Sequence, residues 1–311
     1  MTRPLEPIPL TLQDADPDAF AAALGGAFAA RGFAVVSEAG LDPALIARAL
    51  DDVKAFFARP EAEKRRFHIP GGQGQRGYTP FGVETAKGAT LSDLKEFWHV
   101  GRELPPGHPL SAVMPANLWP DAPRGFRASL SSLYDALDAL GERLLRALAL
   151  HLGLEERFLA DAARDGNSIL RLLHYPPIEG AAEGLRAGAH EDINAITLLL
   201  GAEEAGLEIL EADGSWLAVS PPPGAVVVNI GDMLARLAND VLPSTTHRVV
   251  NPQGSRRGVA RYSAPFFVHF RPDFVIQTLP GCISTARPDR YPGPITADAF
   301  LRQRLEEIKL G

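Results

Sequence analysis

A chain of 311 residues, 46% hydrophobic and 22% charged, holds ample material for a sizeable core, and its length allows one large domain or two smaller ones. Its net charge of −7, with Lys64-Arg65-Arg66 as the longest basic run, argues against a nucleic-acid surface. The single cysteine, Cys282, rules out an internal disulfide and a thiolate metal cluster; with an N-terminus unlike a signal peptide and no apolar run of the roughly 18 residues that a membrane span needs, a reducing, cytoplasmic setting without a membrane partner is expected.

In chain order, residues 8–12 read as a short strand and 14–30 as an amphipathic helix, with Asp16 or Pro17 at its start and Gly32 just past its end. A strand over 32–36 follows. Pro43 suits the first turn of a helix running to about Phe57, and 60–64 form another short helix. The glycine-rich stretch from Gly71 to Tyr78 does not link a strand to a helix as a phosphate-cradling loop must, so a mobile loop carrying Tyr78 is expected. A strand over 93–100 leads into a proline-rich connection over 105–123. Leu130, Leu133, Leu137, Leu140, Leu144, Leu145 and Leu148 recur at helical spacing, which predicts a long scaffold helix over 124–152 packed behind a sheet. A short helix over 154–163 closes this half.

From Ser168 the pattern changes to short strands: 168–175, 195–201, 207–211, 216–218, 225–230, 247–250 and 261–270. A terminal helix over 296–310 has Thr296 as its cap. Helices followed by strands, without βαβ alternation, indicate a sandwich or barrel rather than a doubly wound sheet. We expect an N-terminal region, 1–110, packed on a core, 111–311, as one compact unit.

The chemistry concentrates at His190-Glu191-Asp192. On a strand, positions two apart face the same way, so one imidazole and one carboxylate would converge. H-x-D alone is a weak signal. Here an apolar, β-rich run over 193–200 follows it, and His247 begins another strand after the turn Leu242-Pro243-Ser244, with room for two or three strands between. Two histidines and a carboxylate with open positions opposite form the facial triad of non-haem Fe(II) oxygenases. Arg261-Tyr262-Ser263 adds an arginine and a hydroxyl on one strand face. Such a pair suits the distal carboxylate of 2-oxoglutarate, the electron source for activating dioxygen.

Together with Gly231-Asp232, Ser244-Thr245-Thr246-His247-Arg248-Val249 and the strand Arg171-Leu172-Leu173-His174-Tyr175-Pro176-Pro177, these residues resemble the isopenicillin N synthase-like branch of the Fe(II)/2-oxoglutarate-dependent oxygenases. The resemblance extends over nearly the whole chain. It implies a double-stranded β-helix, or jelly roll, with a helical N-terminal region and the long helix behind it. It implies iron(II) at His190, Asp192 and His247, and 2-oxoglutarate held by Arg261 and Ser263 with Tyr175 reaching it. It also implies dioxygen as co-substrate and a small-molecule substrate that is hydroxylated or desaturated with release of succinate and CO2. Many plant members carry Asn two places before that tyrosine, where this chain has Leu173.

Alternation extends the reading. Arg171 shares a strand face with Leu173 and Tyr175, and a buried arginine needs an anion. That anion is either a carboxylate of the chain or one on an acidic substrate. Tyr78 lines the substrate mouth or packs in the core. Lys95 and Glu96 reach the site or pair with each other. His99, His174 and His269 lack ligand spacing and are expected to be structural or exposed, and Arg248 to support the fold. Three alternatives stay open: an Fe(II) oxidase of the same fold that does without 2-oxoglutarate, a metal-dependent hydrolase activating water at the same ligands, and a binding protein without turnover.

Overall fold

The computed structural model describes residues 4–84, 93–178, 185–200, 206–252 and 254–307. Its elements are β1 (Pro7–Pro9), α1 (Thr11–Ala15), α2 (Pro17–Arg31), β2 (Phe33–Ser37), α3 (Pro43–Phe57), α4 (Glu61–Lys64), β3 (Gly77–Thr79), β4 (Glu96–Gly101), α5 (Phe126–His151), α6 (Phe158–Ala163), β5 (Ile169–Tyr175), β6 (Ala187–His190), β7 (Ile196–Leu200), β8 (Leu207–Leu210), β9 (Trp216–Ala218), β10 (Val226–Ile230), α7 (Asp232–Leu237), β11 (His247–Val249), β12 (Arg261–Val268), β13 (Val275–Ile276), β14 (Ile295–Thr296) and α8 (Ala297–Glu307). None of the described helices is long and apolar enough to cross a membrane.

Local chemistry sets the helix limits. Asp16 caps α2 by accepting from the Ala19 N–H at 3.0 Å, and Pro17 fills the first turn. The helix stops at Gly32, whose φ of 68° is left-handed and whose N–H returns to the Phe28 carbonyl. A Cβ there would also lie 2.4 Å from the Pro243 carbonyl. Asp42 and Pro43 start α3 in the same way.

Two sheets face each other. The larger has the order β1-β2-β10-β7-β12-β5-β4-β3 and the smaller β6-β11-β8-β9. This is the jelly-roll architecture, and the N-terminal strands extend both edges of the larger sheet. Alternation sorts its side chains into two layers. Ala34, Val36, Trp98, Val100, Leu170, Leu172, Ile196, Leu198, Val226, Val228, Phe266 and Val268 join α2, α3 and α5 in the main core. Phe33, Val35 and Val227 point the other way and meet Leu207 and Ile209 between the sheets. The between-sheet positions are where the polar exceptions gather, as described below.

Several elements depart from the sequence expectation. β6 was not expected, because Ala187-Gly188-Ala189 has little β-propensity and pairs only through tertiary context with β11. The short α7 was likewise not anticipated. The helix expected from 154 begins only at Phe158, and the expected ends at 201 and 308–310 lie outside the described residues. Tyr78 does not line a substrate mouth. It sits in β3, 1% exposed, with its ring 6.1 Å from that of Phe56 and its hydroxyl donating to Glu96 on the helix side of the sheet. Lys95 and Glu96 do not pair with each other: Lys95, just ahead of β4, binds Glu84 and Asp93, whereas Glu96 binds Lys64.

Glu96 anchors that helix side. It takes the Lys64 ammonium at 2.7 Å and the His174 ring at 2.7 Å. Lys64→Met removes the cation while leaving the carboxylate buried. The expected outcome is a loss of about 3 kcal/mol, read as a lower urea midpoint, with 2-oxoglutarate binding unchanged.

Candidate metal centre and substrate cleft

His190 ends β6 and His247 opens β11, and the two residues sit opposite each other in the antiparallel register of the smaller sheet. Their ring centroids are 4.4 Å apart. Asp192 lies two residues beyond the end of β6, so strand alternation does not aim its carboxylate. The larger sheet does this from across the barrel: Thr197 of β7 donates to Oδ2 at 2.6 Å and Asn229 of β10 at 2.8 Å. Gly231 lets the chain pass close by, since a Cβ there would lie 2.1 Å from the Asn194 carbonyl and 3.0 Å from that of Asp192. Four strands, β7 to β10, and α7 separate Asp192 from His247, more than the two or three strands expected.

One ligand atom from each of His190, Asp192 and His247 lies within 4.8 Å of the others, a set that could hold a metal ion. The donor chemistry fits iron(II). Nδ1 of His190 faces the Gly188 carbonyl at 2.7 Å and Nδ1 of His247 faces that of Thr245 at 3.1 Å. Each Nε2 lies 3.9 Å from an Asp192 oxygen. A carbonyl on the far nitrogen fixes the tautomer that leaves Nε2 free to bind metal. Burial, and after it the neighbouring His247, draw the His190 imidazole down to about 4, which keeps it neutral near pH 7. Burial pushes the Asp192 carboxyl up, but the two imidazoles and the Asn229 and Thr197 hydrogen bonds outweigh it, and it stays below the ordinary value.

A narrow cavity runs from these ligands into the barrel. Arg261, Ser263 and Tyr175 line it, with Leu173, Leu199 and Leu207 among its apolar walls. Arg261 sits opposite Tyr175 in the β12–β5 register, with its guanidinium 5.1 Å from the ring centroid. Arg261, Ser263 and Tyr175 are each at most 5% exposed. A buried arginine and hydroxyl at one end of an apolar slot match a dicarboxylate that bridges from a metal.

On the outer side of the ligands lies a wider cleft of about 330 Å³, where Arg171 is found. Its Nη1 meets Glu84 at 3.3 Å, and its Nε donates to His99 Nε2 at 2.6 Å. The guanidinium is layered on the Phe97 ring at 4.4 Å. Of the two anions open to Arg171, the structure supplies one from the chain. Glu84 also binds Lys95 at 3.1 Å, and Lys95 binds Asp93 at 2.8 Å. Burial drives the Glu84 carboxyl up, yet Arg171 and Lys95 prevail and hold it well below the carboxylate range. His99 and His269 are both buried and both line this cleft. His99, held by the Gly74 carbonyl and Arg171, and His174, bound to Glu96, are structural. Arg248 braces the smaller sheet, pairing with Glu208 at 2.7 Å and covering the Trp216 ring.

Residues that the sequence reading passed over were Thr197, Asn229 and Glu84. Asn229 did carry a signal, as the one polar residue in the buried strand Val226–Ile230.

Comparison with known proteins agrees with this geometry. The sequence model for the 2OG-Fe(II) oxygenase superfamily matches residues 166–270, and that for the non-haem dioxygenase in morphine synthesis N-terminal region matches 5–122. The chain is 37% identical over 267 residues to the 2-oxoglutarate-Fe(II) type oxidoreductase hxnY of Emericella nidulans, covering 82% of this chain and 75% of that one. It is 36% identical over 294 residues to gibberellin 20 oxidase 2 of Oryza sativa, covering 92% and 72% respectively. Among solved structures, a 2OG-Fe(II) oxygenase family protein from Caulobacter crescentus superposes with a TM-score of 0.92 at 56% identity, over 99% of this chain and 100% of that one. A full-length Neurospora crassa protein in complex with alpha-KG superposes with a TM-score of 0.84 at 29% identity, over 97% and 95%.

Proposed function

This chain belongs to the 2OG-Fe(II) oxygenase superfamily, and we propose that His190, Asp192 and His247 hold its iron(II), that Arg261, Ser263 and Tyr175 hold its 2-oxoglutarate, and that it oxidises a small organic molecule seated in the outer cleft. The protein is an Fe(II)- and 2-oxoglutarate-dependent dioxygenase with a double-stranded β-helix fold. Bound together, iron and 2-oxoglutarate reduce dioxygen and oxidise substrate, giving succinate and CO2.

The observation that carries the residue assignment is the continuity of one cavity from the three ligands to Arg261 and Ser263. His190 and His247 offer Nε2 to the metal. Thr197 and Asn229 keep the Asp192 carboxylate in place. Arg261 offers a fork for a distal carboxylate, and the leucine walls exclude water from it. A hydrolase using only metal and water has no need of that arginine, and the names of the relatives speak for 2-oxoglutarate over the oxidase alternative.

The Neurospora crassa protein is also solved with thymine, whereas other relatives are gibberellin oxidases and a flavanone dioxygenase. The substrates of the relatives thus differ widely in size and shape, and on this fold the loops and the N-terminal region determine them. The same reading treats 1–110 and 111–311 as one folding unit, since β1 to β4 complete the larger sheet. It also places the enzyme in a reducing cytoplasm, which suits a ferrous centre and a lone buried cysteine.

The test is substrate-free turnover. Protein purified without oxygen, given Fe(II), labelled 2-oxoglutarate and then air, should release labelled CO2. If 2-oxoglutarate fails to bind, the assignment is lost. Asn229→Ala provides a finer check. It removes one of the two groups that orient the Asp192 carboxylate, and iron affinity should fall roughly 10–100-fold while 2-oxoglutarate binding to the iron-loaded protein stays close to normal. Unchanged iron affinity would mean that the carboxylate needs no support from the larger sheet.

A further inference from the structure

On β12, alternate positions Arg261, Ser263, Pro265 and Phe267 turn into the barrel and line the cavity by the iron ligands. His269 continues that series one step past the strand end and enters the outer cleft instead. It is 5% exposed, and its Nδ1 is buried without a hydrogen-bond partner among the described residues. Its backbone N–H donates to the Ser168 hydroxyl at 3.2 Å. A buried imidazole nitrogen without a partner is costly and calls for a ligand.

The charges around it already cancel. Of the described cleft residues other than the metal ligands, the cations Lys95, Arg171 and Arg304 stand against the anions Glu84, Asp93 and Glu191. Lys95 and Arg171 are bound to Glu84 and Asp93. Arg304 is bound to Asp232 at 2.9 Å. No cation in this set is left over for a substrate carboxylate. What remains are uncharged hydrogen-bonding groups, chiefly the amides of Gln73 and Gln75 and the His269 ring; the Asn194 amide is already taken up by Ile196 and Thr197. Burial lowers the His269 imidazole to about 4, so it too is uncharged near neutral pH.

We propose that His269 is a substrate-binding residue whose ring nitrogens hydrogen-bond the substrate, and that the cleft takes an uncharged molecule bearing carbonyl, amide or hydroxyl groups. This rests on reading the outer cleft as the oxygenase's substrate site. It replaces the acidic substrate that Arg171 suggested from sequence: Arg171 and Glu84 form a neutral, preorganised wall.

The test uses the iron- and 2-oxoglutarate-loaded protein held without oxygen, with three matched pairs of probes: nicotinamide and nicotinate, thymine and orotate, 2-pyrrolidinone and pyroglutamate. Binding is read by ligand-observed NMR. At least one neutral member should bind, with its anionic partner about tenfold weaker or worse. His269→Phe keeps the ring but removes both nitrogens, and should weaken the neutral probe about tenfold. His269→Gln, which restores a donor and an acceptor, should recover part of the loss. The affinity for 2-oxoglutarate, measured in the same samples, should not change. Tighter binding of the anions, neutral binding that survives His269→Phe, or no neutral binder at all would overturn the proposal. Loss of 2-oxoglutarate binding in the unmodified protein would instead defeat the oxygenase site assignment, so the two failures are distinguishable.

Discussion

Replacing Asp192 with alanine is expected to abolish iron-dependent CO2 release from 2-oxoglutarate. Asp192 is the only carboxylate of the three-residue cluster, and its loss leaves two imidazoles and no negative charge to hold a divalent ion. Loss of a mere outer partner costs roughly 10–100-fold in metal affinity or activity. Loss of the ligand itself should exceed that range. The substitution also strips Thr197 and Asn229 of their shared acceptor, at about 1–3 kcal/mol for each buried donor left unmet, so some destabilisation should accompany it. Asp192→Asn separates the two effects. It keeps an oxygen for the donors but lacks the charge, so the fold should hold while iron binding fails. Measured iron content and CO2 release within tenfold of the unmodified protein would rule the assignment out.

The second large effect is expected at Arg261. Arg261→Leu should raise the dissociation constant for 2-oxoglutarate by about thirtyfold or more, since truncating one partner of a buried charged pair costs about 2–5 kcal/mol. Iron affinity should be untouched, because Arg261 lies along the cavity and not among the ligand atoms. Arg261→Lys restores the charge but not the planar fork, and should recover only part of the affinity. Titration of 2-oxoglutarate into the iron-loaded protein without oxygen compares both variants with the unmodified protein. Equal affinity in the leucine variant would place the distal carboxylate elsewhere.

The site was readable in sequence to the extent that its geometry repeats with a period of two. Arg261 with Ser263, and Arg171 with Leu173 and Tyr175, lie on the strand faces that alternation assigned them. The same rule, carried on from Ser263, reaches His269, which the absence of ligand spacing had set aside. Where the site departs from a strand, the rule fails. Asp192 lies beyond β6 and is aimed by two residues of the opposite sheet, a relationship with no local trace. The partner of Arg171 was unreadable for the same reason, since Glu84 is far away in sequence and meets it only in the folded chain. Tyr78 was misplaced because glycines around it suggested a loop, whereas pairing with β4 and burial against Phe56 make it a strand. The long helix α5 was clear because seven leucines repeat through it. β6 was hidden because Ala-Gly-Ala becomes a strand only when His247 and its neighbours lie alongside.

The interleaving of the larger sheet has a consequence for how the protein is made. β2 is flanked by β1, which it follows closely, and by β10, with Phe33 opposite Asn229. Four of its five residues are buried in the finished protein. During synthesis, at about 5–20 residues per second, β2 leaves the ribosome roughly ten to forty seconds before β10 does. For that interval an apolar strand waits beside α2 and α3 with one edge unpaired, the condition under which nascent chains associate wrongly or recruit a chaperone. The order of the strands that lets the first hundred residues wall in the active site therefore leaves that edge of the newborn chain open until its second half arrives.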